Sequence, residues 1–212
     1  MSKTTSATPI RLHGFSISGH SHRVELMLSL LKLPYEVVQV DLPNKAHKQP
    51  AFLAMNPFGQ IPVIQDGTIT LADSNAILVY LASKYDDGKW LPRDLVAAAK
   101  VQRWLSVAAG EVAFGPAKAR IAVLFKLPVK TEEEITRTHD LLAIMDVELQ
   151  KHTFLTSNTP TIADIANYTY IAHAPEGNVS LAAYKNVRAW LQRIEALPGF
   201  VPMVKSPIGL NA

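Results

Sequence analysis

The chain has no cysteine among its 212 residues. Disulfides, thiolate metal sites and every mechanism that uses a protein thiol are therefore excluded, and any sulfur chemistry must use a substrate's sulfur. It also has no run of apolar residues long enough to span a bilayer, and its start, MSKTTSATPI, lacks the apolar stretch of a secretory leader, so the expectation is a soluble cytoplasmic protein. Basic clusters are missing too: 21 Lys and Arg stand against 18 Asp and Glu, scattered to a net charge of +3. Without a basic stripe or a basic amphipathic helix, neither nucleic acid nor a membrane surface is an expected partner. No internal repeat and no low-complexity tract interrupts the chain.

What is present is a hydrophobic content of 48%, enough for a substantial core in one or two domains. Residues 9–15, PIRLHGF, alternate apolar and polar as a strand does. A serine-rich loop follows, and Val24, Met27, Leu28 and Leu31 then fall at helical spacing, with Pro34 as the stop. YEVVQVDL, residues 35–42, reads as a second strand, giving a βαβ unit. A short helix is expected around Phe52, Leu53 and Met55, a hairpin over 63–71 with Asp66-Gly67 at its turn, and a helix over 74–85.

Residues 86–94, DDGKWLPRD, have the composition of a linker, and no strand pattern recurs after them. Val101, Leu105, Ala108 and Val112 mark a long helix, stopped or kinked near Gly115-Pro116 and resumed over 117–126. Thr131 with Glu134 reads as a capping box opening a helix over 131–151, and Thr161 with Asp164 as a second box. Val187, Trp190, Leu191 and Ile194 define the final helix, closed by Pro198-Gly199.

The stretch from Asn56 to Ile77, NPFGQIPVIQDGTITLADSNAI, orders a loop, a proline, two strands and a polar pair, Asp73-Ser74, at a helix start. Such a start gathers free backbone N–H groups and partial positive charge, and suits an anionic ligand group. This combination resembles the glutathione transferase family, and the resemblance extends over nearly the whole chain. It implies a thioredoxin-like α/β domain of order βαβαββα over 1–85, a linker over 86–94, and an all-α domain over 95–212 that forms the electrophile site.

The resemblance also implies glutathione as co-substrate, no metal, a small apolar electrophile as second substrate, and a homodimer. Its residues carry over onto this chain as follows. Pro62 would be a cis proline in a loop that includes Gln60, with Ile61 pairing backbone to backbone with the cysteinyl unit. Asp73 and Ser74 would hold the γ-glutamyl end, and His47 and Lys48 the glycine carboxylate. Each has a plainer reading as well: a strand-edge proline, a helix cap, a solvated loop charge. Asp164 would belong to a folding motif, not to the chemistry.

The chemical demand is a thiolate at neutral pH, against an unperturbed thiol pKa of about 8.5. A hydroxyl hydrogen bond to a charged acceptor supplies roughly 1.5 to 3 kcal/mol and a helix N-terminus roughly 0.3 to 1 kcal/mol. Ser18 in SGHSHRV matches the serine of Ser-type members, while Leu12-His13-Gly14-Phe15 lacks the tyrosine of the Tyr type. A helix N-cap is the alternative role for Ser18; Ser16, Ser21 and a backbone amide near Gly19 or His20 compete for the thiolate. Peroxide reduction, isomerisation or ether cleavage would use the same site, and a non-catalytic carrier would keep the fold without turnover.

Overall fold

A computed structural model describes residues 8–211. Ile10–Gly14 (β1) is central in a four-stranded sheet of order β2-β1-β3-β4. Tyr35–Gln39 (β2) pairs parallel with it, Val63–Asp66 (β3) antiparallel, and Ile69–Ala72 (β4) pairs antiparallel with β3. A parallel neighbour requires a crossover, here the helix Gly19–Leu30 (α1), followed after β2 by Pro50–Leu53 (α2) and, after β4, by Ser74–Tyr85 (α3). Ile10, Leu12 and Ile64 are fully buried with Val24, Leu26, Met27 and Leu28 of α1 and Ile77, Leu78 and Leu81 of α3. Val63 packs with Val40 and Phe52 in a separate cluster, as the alternation of side chains along a strand requires.

Two local details here differ from the sequence reading. Pro34 does not stop α1: Lys32 adopts φ 55°, and Leu33 N–H reaches Leu28 O (3.0 Å) while Lys32 N–H reaches Ser29 O (2.9 Å), a Schellman end that leaves the proline beyond it. The hairpin turn falls on Gly67-Thr68, one residue later than expected, because Asp66 pairs with Ile69 inside the ladder. Its Oδ2 accepts from Tyr80 Oη (2.7 Å), Lys84 Nζ (2.7 Å) and Tyr85 Oη (2.5 Å), which ties the hairpin to α3. Gly67 takes φ 59° in that turn.

The chain divides into two compact units, one up to Leu91 that also includes Leu197–Val204, the other spanning Pro92–Ala196 and continuing from Lys205. Within the first, the returning segment is fixed to α1 by His22 Nε2–H donating to Val201 O (2.8 Å) and Ser29 Oγ to Gly199 O (2.6 Å).

The second unit is helical: Leu95–Ala109 (α4), Lys118–Leu124 (α5), Glu132–Lys151 (α6), Ile162–Ala172 (α7) and Lys185–Glu195 (α8). The expected kink begins earlier, at Gly110, and Ala113–Ala117 forms a π turn around Pro116, whose missing N–H cannot bond back along the helix. The Thr131–Glu134 box does not form. Thr131 makes no side-chain cap bond, and the Glu134 carboxylate pairs with Lys118 instead. The Thr161–Asp164 box does form, and α7 is buried nearly all round.

Asp164 accepts from Thr161 N (2.8 Å), Leu155 N (2.9 Å) and Trp190 Nε1 (2.9 Å), so it joins three segments of the helical core. Burial pushes its pKa up against the pull of these donors. Asp164→Ala leaves several buried donors unmet and should destabilise the protein by about 3 to 5 kcal/mol in denaturant titrations; a loss under about 1 kcal/mol would contradict this role. A Cβ on Gly14 would lie 2.9 Å from both Cβ and Oγ of Ser21. Gly14→Ala should therefore cost about 1 to 3 kcal/mol, with much of the loss recovered in the Gly14→Ala, Ser21→Gly double variant.

Candidate active site

Beyond β1 the chain turns through Ser16 and Ile17, with Ser18 N–H bonded to Phe15 O (2.9 Å). Ser18 keeps extended angles (φ −85°, ψ 116°) as the N-cap of α1, and its Oγ accepts the Ser21 N–H (3.3 Å). An oxygen that accepts still carries its own proton, and that O–H has no acceptor among the described residues. The two competing serines are placed differently. Ser16 is exposed in the turn, and Ser21 is buried, its Oγ accepting Phe15 N–H (3.2 Å).

The loop before β3 is set by Asn56, a residue that sequence reasoning gave no role. Buried, it donates Nδ2–H to Gln60 O (2.8 Å), accepts Phe58 N–H on Oδ1 (3.1 Å) and accepts Gly59 N–H on its carbonyl (2.8 Å). The Ile61-Pro62 bond that follows is cis. Ile61 has neither its amide nor its carbonyl bonded among the described residues, so an extended backbone strand could pair there. The side chain of Gln60 is exposed.

Gly59 (φ 57°) sits so close to the short 3-10 turn Ala46–Lys48 that a Cβ would come within 2.7 Å of His47 O. Lys48 Nζ donates to Phe58 O (3.0 Å), which places His47 and Lys48 against the proline loop. His47 Nδ1 is buried without a partner among the described residues.

At the start of α3, Asp73 takes φ 71°, ψ 120°, a region that non-glycine residues rarely occupy and that recurs at functional sites. Its Oδ1 accepts the N–H groups of Asn75 (3.0 Å) and Ala76 (2.9 Å), leaving Oδ2 unbonded among the described residues. Ser74 is buried beside it. Its Oγ accepts from Nη1 of Arg23 (2.8 Å), with His20 Nδ1 at 3.3 Å. Burial, and then the Arg23 charge, push the His20 pKa down to about 3, so this imidazole is neutral at neutral pH.

The structure brings the predicted residues to one end of the sheet. The pairing His13↔Val63 sets Pro62 level with Gly14 at the end of β1, and Val63↔Ala72 sets Asp73 beside Pro62. The His20–Ser74 contact joins the start of α1 to that of α3. Arg23, His20 and Asn56 were missed, although Arg23 lies in the SGHSHRV run and Asn56 opens the NPFGQ run.

In the helical unit, Arg120 and His173 both bond to Glu176, at 2.6 and 2.7 Å. Among the described residues no cluster of His, Asp and Glu could hold a metal ion, and no helix is long and apolar enough to cross a membrane.

The family model described as the glutathione S-transferase N-terminal domain matches residues 17–84, and that of the C-terminal domain residues 112–198. Glutathione S-transferase 3 of Zea mays is 34% identical over 91% of this chain and 91% of its own length. A glutathione S-transferase structure from Pseudomonas fluorescens is 36% identical, with a TM-score of 0.86 over 93% of this chain and 100% of that one. A glutathione transferase homolog from Drosophila mojavensis, solved with bound glutathione, is 31% identical, with a TM-score of 0.82 over 90% of this chain and 89% of that one. Matched along nine-tenths of its length in sequence and in fold, the chain belongs to the glutathione S-transferase family.

Proposed function

We propose that this protein conjugates the thiolate of glutathione to a hydrophobic electrophile, with the Ser18 hydroxyl as the donor that stabilises the sulfur anion. The observation that carries this reading is the geometry of Ser18. Its oxygen accepts the Ser21 N–H at the mouth of α1, which polarises the hydroxyl and leaves its proton to be donated to an anion. The N-terminus of α1 adds partial positive charge at the same point. Gly14 supports a serine over a tyrosine from the first strand, since any side chain there would meet Ser21.

Glutathione is the co-substrate in this reading. Ile61, ahead of Pro62, offers an unpaired amide and carbonyl to the cysteinyl backbone. The free Oδ2 of Asp73 accepts from the γ-glutamyl ammonium, while Ser74 and the α3 N-terminus take its carboxylate. His47, with its buried and unpartnered Nδ1, and Lys48 face the glycine carboxylate, and Gln60 completes the loop. The domain up to residue 85 binds glutathione, and the helical domain from 95 supplies the electrophile site. A cytoplasmic homodimer is the proposed working form.

Because Ser18 also caps α1, the test must separate capping from catalysis. Ser18→Gly keeps most of the cap, within a few tenths of a kcal/mol, but removes the hydroxyl. With a generic aromatic electrophile, both Ser18→Ala and Ser18→Gly should lose about 10- to 100-fold in kcat/KM. The pKa of bound glutathione, read from thiolate absorbance, should rise by about one to two units. Wild-type activity in Ser18→Gly would pass the role to Ser16, Ser21 or a backbone amide. A folded wild-type protein that binds glutathione without turnover would instead mark a carrier.

A further inference from the structure

Arg23 is buried to 1% exposure in the sheet-bearing unit, and the reading above leaves it without a chemical part. A guanidinium only donates, so both bonds from its Nη1 run one way, to Ser74 Oγ (2.8 Å) and to Asn75 Oδ1 (2.9 Å). One atom of α1 thus grips two successive residues in the first turn of α3. A lysine would bring a single, strongly hydrated ammonium in place of this planar fork, at a higher cost of burial.

The consequence falls on the Ser74 hydroxyl. Arg23 fills one lone pair of Oγ, and His20 Nδ1 stands 3.3 Å from the same oxygen. With the imidazole neutral, its tautomer decides the rest. When Nδ1 bears the proton it fills the second lone pair, and the only bond left to Ser74 is donation outward. Ser74 then presents a fixed donor to an anionic group at the start of α3.

We propose that Arg23 is a positioning residue, holding Ser74 as an outward hydrogen-bond donor for the γ-glutamyl carboxylate of glutathione. The proposal rests on the glutathione reading. It assigns Arg23 to binding and gives it no part in ionising the sulfur. A merely structural role in packing α1 against α3 would show as lost stability, with no preference for one kinetic constant.

The test is a double-variant cycle on the full chain with Arg23→Lys, Ser74→Ala and their combination, reading KM for glutathione, KM for the electrophile, kcat and the bound-thiol pKa. Arg23→Lys should raise the glutathione KM roughly tenfold while the electrophile KM and the thiol pKa stay put and kcat falls less than about threefold. In the Ser74→Ala background the same change should add less than about twofold, because its route of action is already gone. Equal effects in both backgrounds, an unchanged glutathione KM, or a shifted thiol pKa would overturn the assignment.

Should Arg23→Lys not fold, the 15N spectrum of His20 in the wild-type glutathione complex decides: a protonated Nδ1 supports the proposal and a bare Nδ1 overturns it. A wild-type protein that fails to bind glutathione overturns both readings; one that binds while Arg23→Lys binds equally well overturns this one alone.

Discussion

The register of β1 is the constraint on which the rest depends. This strand is bonded on both sides, parallel to β2 and antiparallel to β3, and a slip of one residue would turn Ile10 and Leu12 away from the helices that bury them. With His13 opposite Val63 and Val63 opposite Ala72, the cis peptide, the strained Asp73 and the turn into α1 all arrive at one end of the sheet. No single loop builds the site; the pairing does. The close approach of Gly14 to Ser21 then fixes how near to the strand α1 begins, and hence where Ser18 stands.

Two helix N-termini, a buried guanidinium and two histidines give that end of the sheet a surplus of donors. His20 contributes no charge, because burial and Arg23 keep it neutral, so the positive potential comes from Arg23, Lys48 and the backbone. Asp73 is the local exception. A backbone in its conformation costs on the order of 1 to 3 kcal/mol, offset in part by the two amides its Oδ1 accepts, and what it leaves is one carboxylate oxygen for a cation. A ligand suited to this place has an ammonium and more than one carboxylate on an extended backbone, as the glutathione proposed for it has.

Much of this was legible because it is local and periodic. Apolar spacing placed α1 and α3, the turn residues placed the hairpin within one position, and the NPFGQIP run with Asp73-Ser74 pointed to the family and to a candidate site. What stayed hidden depends on partners distant in sequence. Nothing near Arg23 indicates that it reaches Ser74 and Asn75 in another helix, and nothing near Asp66 indicates that Tyr80, Lys84 and Tyr85 will draw it into the strand and move the turn. The Thr131–Glu134 box failed for the same reason. The spacing suits a local bond from a backbone N–H, but Lys118 offers the same carboxylate a full opposite charge.

Buried charge alone does not identify a site in this protein, and the helical unit shows why. Burial pushes the carboxyl of Glu176 up, yet the Ser206 amide, His173 and Arg120 together hold it below the usual range. Both of its oxygens are taken, as are those of Asp164, and a carboxylate whose acceptor sites are filled by protein donors has nothing left with which to bind or react. At the end of the sheet the situation is reversed. Among the described residues the Ser18 proton, the Ile61 amide and carbonyl, His47 Nδ1 and Asp73 Oδ2 are each unmet, and each belongs to a segment that the strand register or the proline loop holds in place. Polar groups left open on a rigid support are costly to folding and useful only to a ligand, and it is their gathering in one place, more than any unusual residue, that separates the candidate site from the scaffold here.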